Sequence, residues 1–96
     1  IKIFNNTSGQ NLVDLRSMNC SGFFAIYAEG AADFSYKVGI EEGKMVTPDD
    51  TLNTGADGTI GTSGAGSYLP FIIPVARFLE ITASANTTAW LVYSVG

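Results

Sequence analysis

The clearest pattern of apolar and polar positions lies between Phe34 and Glu41, where Phe34, Tyr36, Val38 and Ile40 alternate with Ser35, Lys37, Gly39 and Glu41. A period of two over this length predicts a β-strand with one wet face. Just before it, Phe23-Phe24-Ala25-Ile26-Tyr27-Ala28 is an unbroken apolar run between Gly22 and Gly30. Such a run predicts a strand covered on both faces. Ile1 to Phe4 reads as a short strand that ends at the turn cluster Asn5-Asn6-Thr7-Ser8-Gly9. Residues 10–18 place Leu12, Val13, Leu15 and Met18 at helical spacing, but without the cap or the length of a stable helix, so an extended segment is expected. Glu42-Gly43 turns into a short strand, Lys44 to Thr47, which Pro48 stops.

The chain is organised around its last stretch, Ala76 to Ser94. Two runs rich in apolar, β-branched and aromatic residues flank Ser84-Ala85-Asn86-Thr87-Thr88, which predicts a hairpin with a short polar loop. Leu79, Ile81, Leu91 and Tyr93 fall on the expected core face. Phe78, Trp90 and Val92 are left on the other, which a second sheet or another subunit must cover; for Trp90 an internal sheet is expected. Tyr68-Leu69-Pro70-Phe71-Ile72-Ile73-Pro74 feeds this hairpin, and its two prolines make it an edge or crossover segment. An apolar edge invites pairing, so Phe71, Ile72 and Ile73 join Phe78 and Trp90 as the candidate interface residues. Between Asp49 and Ser67 the composition turns to Gly, Ser, Thr and Ala, and a Gly-rich flexible loop is expected over 49–67. Its glycines at 55, 58, 61 and 64 recur every third residue, but no proline lies between them and the run is too short for a collagen or polyglycine helix. Six to eight short strands without a helix predict an all-β, single-domain antiparallel β-sandwich over residues 1–96, of jelly-roll or immunoglobulin-like type, or a small barrel.

Charge narrows the function. Nine acidic residues against five basic ones leave a net charge of −4, and no two cations are neighbours. A nucleic-acid groove needs clustered cations to displace counterions, so that partner is not expected. With 46% hydrophobic and 15% charged residues, the chain has little charged surface to keep free monomers apart, which favours life in an assembly. Cys20 is the only cysteine and histidine is absent, so an internal disulfide and a Cys-His zinc site are both ruled out. Cys20 is expected to serve as a small buried hydrophobe. No apolar run is long enough to cross a membrane as a helix, and the start at Ile1 shows no charged-then-apolar leader; no membrane association is expected.

Candidate chemistry is thin. Asp49, Asp50 and Asp57 could offer carboxylates to calcium, but they lack the ordered loop spacing and closing Glu of a calcium loop, and a solvated acidic loop is expected. Glu41 and Glu42 are adjacent, so on a strand they point to opposite faces and cannot flank one bond. Asn5, Asn6, Asn19 and Asn86 each begin an Asn-x-Ser/Thr sequon, which matters only in a eukaryotic secretory pathway. Tyr27, Tyr36, Tyr68, Trp90 and Tyr93 could form a platform for stacking sugars, although most alternate with apolar neighbours as core or interface residues do. No catalytic residue, cofactor, metal ion or small-molecule substrate is expected.

Residues 22–95 present a two-sided apolar strand (SGFFAIYAEG), an amphipathic strand (FSYKVGIE), a Pro-Asp loop with a glycine-rich excursion, and the closing PVARFLEITASANTTAWLVYSV. This order resembles the small β-sandwich virion proteins of tailed bacteriophages, the capsid-decoration, head-auxiliary and tail-associated modules. Residue by residue, Arg77 and the apolar pattern after it carry the match. The resemblance implies a non-enzymatic structural protein of the virion that binds a major capsid or tail protein lattice as a homo-oligomer, usually cyclic. A secreted carbohydrate-binding or adhesive β-sandwich is the alternative.

Overall fold

The 18-residue strand that ends the chain, β7 (Phe78–Val95), touches nearly every part of the fold. In the computed structural model, which describes residues 1–49, 53 and 56–95, it follows β1 (Lys2–Asp14), β2 (Cys20–Ala28), β3 (Asp33–Gly39), β4 (Met45–Val46), β5 (Thr59–Thr62) and β6 (Ser67–Ile72). One edge of β7 pairs with β1 from Asp14↔Phe78 to Lys2↔Trp90. The other edge pairs first with β3, from Gly39↔Phe78 to Phe34↔Ala83, and then with β2, from Ala28↔Ala89 to Cys20↔Val95. The strand order is β4-β3-β7-β2-β6, with β1 on β7 and β5 on β3, and every pairing is antiparallel. The sheet curls into a half-barrel, so the all-β single domain expected from the pattern is the fold found, consistent with a small sandwich or barrel.

The expected hairpin at Ser84–Thr88 is not there: β7 runs straight through it. The polar residues mark a bend at which β7 leaves β3 and joins β2, and their side chains serve the β2–β3 corner instead of a turn. Ser84 Oγ accepts the Asp33 N–H at 2.8 Å, Thr87 Oγ1 donates to the Gly30 carbonyl at 3.2 Å, and the Thr88 carbonyl accepts the Glu29 N–H at 2.9 Å. Ser63, buried beside them, accepts from the Ala32 N–H at 3.0 Å and donates to the Gly30 carbonyl at 2.6 Å. Residues that favour turns also satisfy a corner whose backbone groups have lost their ladder partners.

The Asn5–Gly9 turn cluster is corrected in the same way, since β1 is one strand of 13 residues. Its register against β7 shifts between Lys2 and Gly9, and the kink uses Asn6 at φ 53° and Gly9 at φ 92°. Both conformations are left-handed, where Asn and Gly are the tolerated residues. Asn11 closes the bend by donating to the Ile3 carbonyl at 2.6 Å.

Inside the curl, the alternation survives the bend. Leu79, Ile81, Ala83, Thr87, Ala89 and Leu91 all face inward and are buried, with Tyr93 partly buried at the end of the series. Phe34, Tyr36 and Val38 meet them from β3, as their alternation predicted; Ile40, beyond the strand, is exposed. Ring contacts close the two halves on each other: Phe4 lies 6.1 Å from Phe34, and Tyr36 lies 5.6 Å from Phe71. Cys20 is only partly buried and packs against this core.

The 49–67 segment is more structured than a flexible loop implies, because β5 inside it pairs with β3. Gly58, at φ 73°, brings its carbonyl to the Tyr36 N–H at 2.7 Å. Asp50, one of the three carboxylates of the candidate calcium set, lies outside the described residues, as do Gly55 and residues 51, 52 and 54, while Asp49 and Asp57 are exposed.

Candidate functional site: an outward apolar dish

The outer face of the β6-β2-β7 half gathers four exposed large apolar side chains, Phe23, Tyr27, Tyr68 and Val92. Registers fix the layout. Tyr68, Tyr27, Trp90 and Lys2 form one row across β6, β2, β7 and β1. Pro70, Ala25 and Val92 form the next, and Phe23 lies opposite Ile72 in the third. Phe23 is 57% exposed, Tyr68 59%, Tyr27 36% and Val92 38%, whereas the central Ala25 is only 4% exposed. A small residue among large ones makes a dish with Ala25 as its floor. Two shallow depressions of about 540 and 560 Å³ open here, both lined by Tyr68, Val92 and Tyr93.

Within the first row the groups pack on one another. The Tyr27 and Trp90 rings lie 5.7 Å apart at 42°, and the Lys2 ammonium lies 5.2 Å from the Trp90 ring centre. Edge-tilted rings and a cation over an indole are both attractive, each worth about 0.5–1.5 kcal/mol. They hold Trp90 in place with its outer surface still wet.

Both strands bordering this half protect their edges. The Ile73 N–H donates to the Gly22 carbonyl at 3.0 Å, which sets the phase of the β6 ladder. Residues 68, 70 and 72 therefore direct their backbone groups away from β2. Pro70 has no N–H to offer there. Asn53 occupies the next position as a strand would, accepting the Ile72 N–H at 2.8 Å and donating to the Ile72 carbonyl at 2.7 Å. On β1, the kinks at Asn6 and Gly9 break the outer edge. Such devices oppose strand addition at these two edges.

The site residues expected from the sequence separate accordingly. Ile72 and Trp90 lie on the dish, while Phe71 and Ile73 point inward and are buried in the core, so the expected apolar edge over 71–73 is corrected to one outward residue. Phe78 is buried beneath Arg16, whose guanidinium lies 4.8 Å from its ring centre. Trp90 does not lie under an internal sheet; it is half-buried on the outside. Of the aromatic platform, Tyr27, Tyr68 and Trp90 share a row, Tyr93 is half-buried at the edge of the depressions, and Tyr36 is core. Phe23 and Ala25 were missed as site residues. The signal was the unbroken FFAIYA run: β2 is apolar on both faces, and the protomer covers one.

Elsewhere, Glu41 and Glu42 are exposed, with Glu41 3.7 Å from the Lys44 ammonium. Among the described residues, no group of three or more acidic, Cys or His side chains is placed to hold a metal ion. Away from the dish, a bidentate Arg16 guanidinium, at 3.0 and 2.8 Å, together with the Arg16 N–H, holds the Asp14 carboxyl down at about 2. The fold and this face together describe a small all-β module with an exposed apolar outer face. No family model matches the chain, and no curated protein or solved structure matches it either.

Proposed function

We propose that this chain is a non-enzymatic structural component of a virion, a capsid-decoration or auxiliary protein of a tailed phage that binds the capsid or tail lattice as an oligomer. The observation that carries the reading is the dish: an outward, largely apolar and aromatic face on the curled sheet. Exposed apolar surface of this extent marks an interaction site in a soluble domain, because water opposes its exposure. The resemblance of residues 22–95 to phage virion modules supplies the kind of assembly. Mass spectrometry of purified particles tests it: the protein co-purifies with particles at a fixed copy number, and its absence from them sinks the proposal.

The row Tyr68-Tyr27-Trp90 favours a second reading, a carbohydrate-binding module, since sugars stack on exposed aromatic faces. That reading requires saturable glycan binding that Tyr68→Ala or Trp90→Ala abolishes. A glycan screen without saturable binding excludes it.

A further inference from the structure

We infer that the dish is a homotypic interface, filled by the same face of a second copy of this chain in a two-fold arrangement. The inference rests on the assembly reading above and names the surface and its occupant. Three features of the face lead to it. An isologous contact needs one surface that carries both a depression and a projection. Here Ala25 floors the dish, and the most exposed rings, Phe23 and Tyr68, stand on its rim.

Charge is the second feature. Each copy carries −4, so most approaches between copies meet like-charge repulsion. The rows formed by Tyr68, Tyr27, Trp90, Pro70, Val92 and Phe23 contain no acidic side chain, and Lys2 at the corner lies over Trp90. Two copies meeting through this face avoid placing acid against acid.

Area is the third. Taking about 200 Å² per aromatic side chain, the exposed parts of Phe23, Tyr27 and Tyr68, with Trp90 and the aliphatic groups beside them, amount to roughly 500 Å². Two such faces bury at most about 1,000 Å², in the range of weak, transient interfaces. The dimer is therefore expected to be concentration-dependent and not obligate. The guarded edges of β6 and β1 oppose strand addition on this half of the sheet.

The test is sedimentation equilibrium of the purified chain from micromolar to millimolar concentration, read together with the emission of Trp90, the only tryptophan. The expected result is a monomer–dimer equilibrium with a blue shift of Trp90 emission that tracks the dimer fraction. Tyr68→Lys and Val92→Lys each weaken dimerisation at least tenfold. Leu12→Lys, an exposed apolar position on β1 away from the dish, leaves it unchanged. Circular dichroism confirms that each variant is folded. A chain that stays monomeric throughout, a dimer indifferent to both dish variants, or a dimer lost equally with Leu12→Lys overturns the inference. So does a monomer whose dish saturates with glycan or with lattice protein. Co-purification with particles is read separately, so loss of the homotypic contact and loss of the virion role are distinguishable.

Discussion

At the scale of single residues, two glycines separate conformational cost from space. Gly9 and Gly58 both have positive φ, at 92° and 73°. A Cβ at Gly9 meets nothing within 4 Å, whereas at Gly58 it would lie 2.8 Å from Thr47 Cγ2 and 2.9 Å from the Tyr36 carbonyl oxygen. Gly9→Ala is expected to cost about 1 kcal/mol, the conformational part alone. Gly58→Ala adds a backbone clash and is expected to cost about 2–4 kcal/mol, read as a larger fall in urea midpoint. Equal losses would mean that the turn before β5 yields freely. Asp14 offers a second residue-scale test. Its folded carboxyl titrates at about 2, below the ordinary 3.8, because Arg16 donates to it through its side chain and backbone. A depressed carboxylate stabilises fully above the unfolded value and loses that contribution as pH falls through the folded one. The stability difference between the protein and Asp14→Asn is therefore constant above about pH 5, falls as pH drops towards about 2, and vanishes only below that. Both groups are exposed, so solvent keeps the plateau small. A difference that grows on acidification contradicts the assignment.

Elements show where sequence reasoning was strong and where it had no information. Phe34, Tyr36 and Val38 were legible because alternation is local, and a strand with one wet face needs nothing else to be recognised. The Ser84–Thr88 stretch was not. Its partners Asp33, Gly30 and Asn6 lie 51, 57 and 82 residues away, and a polar cluster that bends a strand is written in the same residues as one that reverses it. The dish had the same difficulty. Trp90 and Ile72 were visible as apolar residues in need of a cover, but only the registers of β6, β2 and β7 put them on one face with Phe23 and Tyr27. The bend makes its own prediction. Thr87→Val keeps the β-branched shape but removes the bond to the Gly30 carbonyl, which Ser63 still satisfies, so the cost is expected near 1 kcal/mol. Ser63→Ala strands the buried Ala32 N–H and is expected to cost more, about 2–3 kcal/mol. Thermal denaturation of the two variants ranks them, and the reverse order would place the corner's main support on β7.

For the molecule as a whole, the division between an inner core and an outer dish can be tested on one strand. Phe71 and Tyr68 lie on opposite faces of β6. Phe71 packs 5.7 Å from Phe24 and 5.6 Å from Tyr36, so it joins β2 and β3 across the curl. Truncating a buried Phe to Ala costs about 3–5 kcal/mol, a large share of the roughly 5–15 kcal/mol that holds a domain together. With about 4–8 °C lost per kcal/mol in a chain of this size, Phe71→Ala is expected to melt at least 12 °C lower or to be unfolded at room temperature. Tyr68→Lys lies outside the core and adds a charge to the apolar face. In dilute solution its melting temperature is expected within about 3 °C of the parent. At high concentration the parent should gain stability by mass action that the variant cannot, so their melting temperatures diverge as concentration rises. Melting curves at two concentrations a hundredfold apart measure both effects. A large loss for Tyr68→Lys in dilute solution would show that the dish is already closed within one chain, and the outer face would then belong to the core.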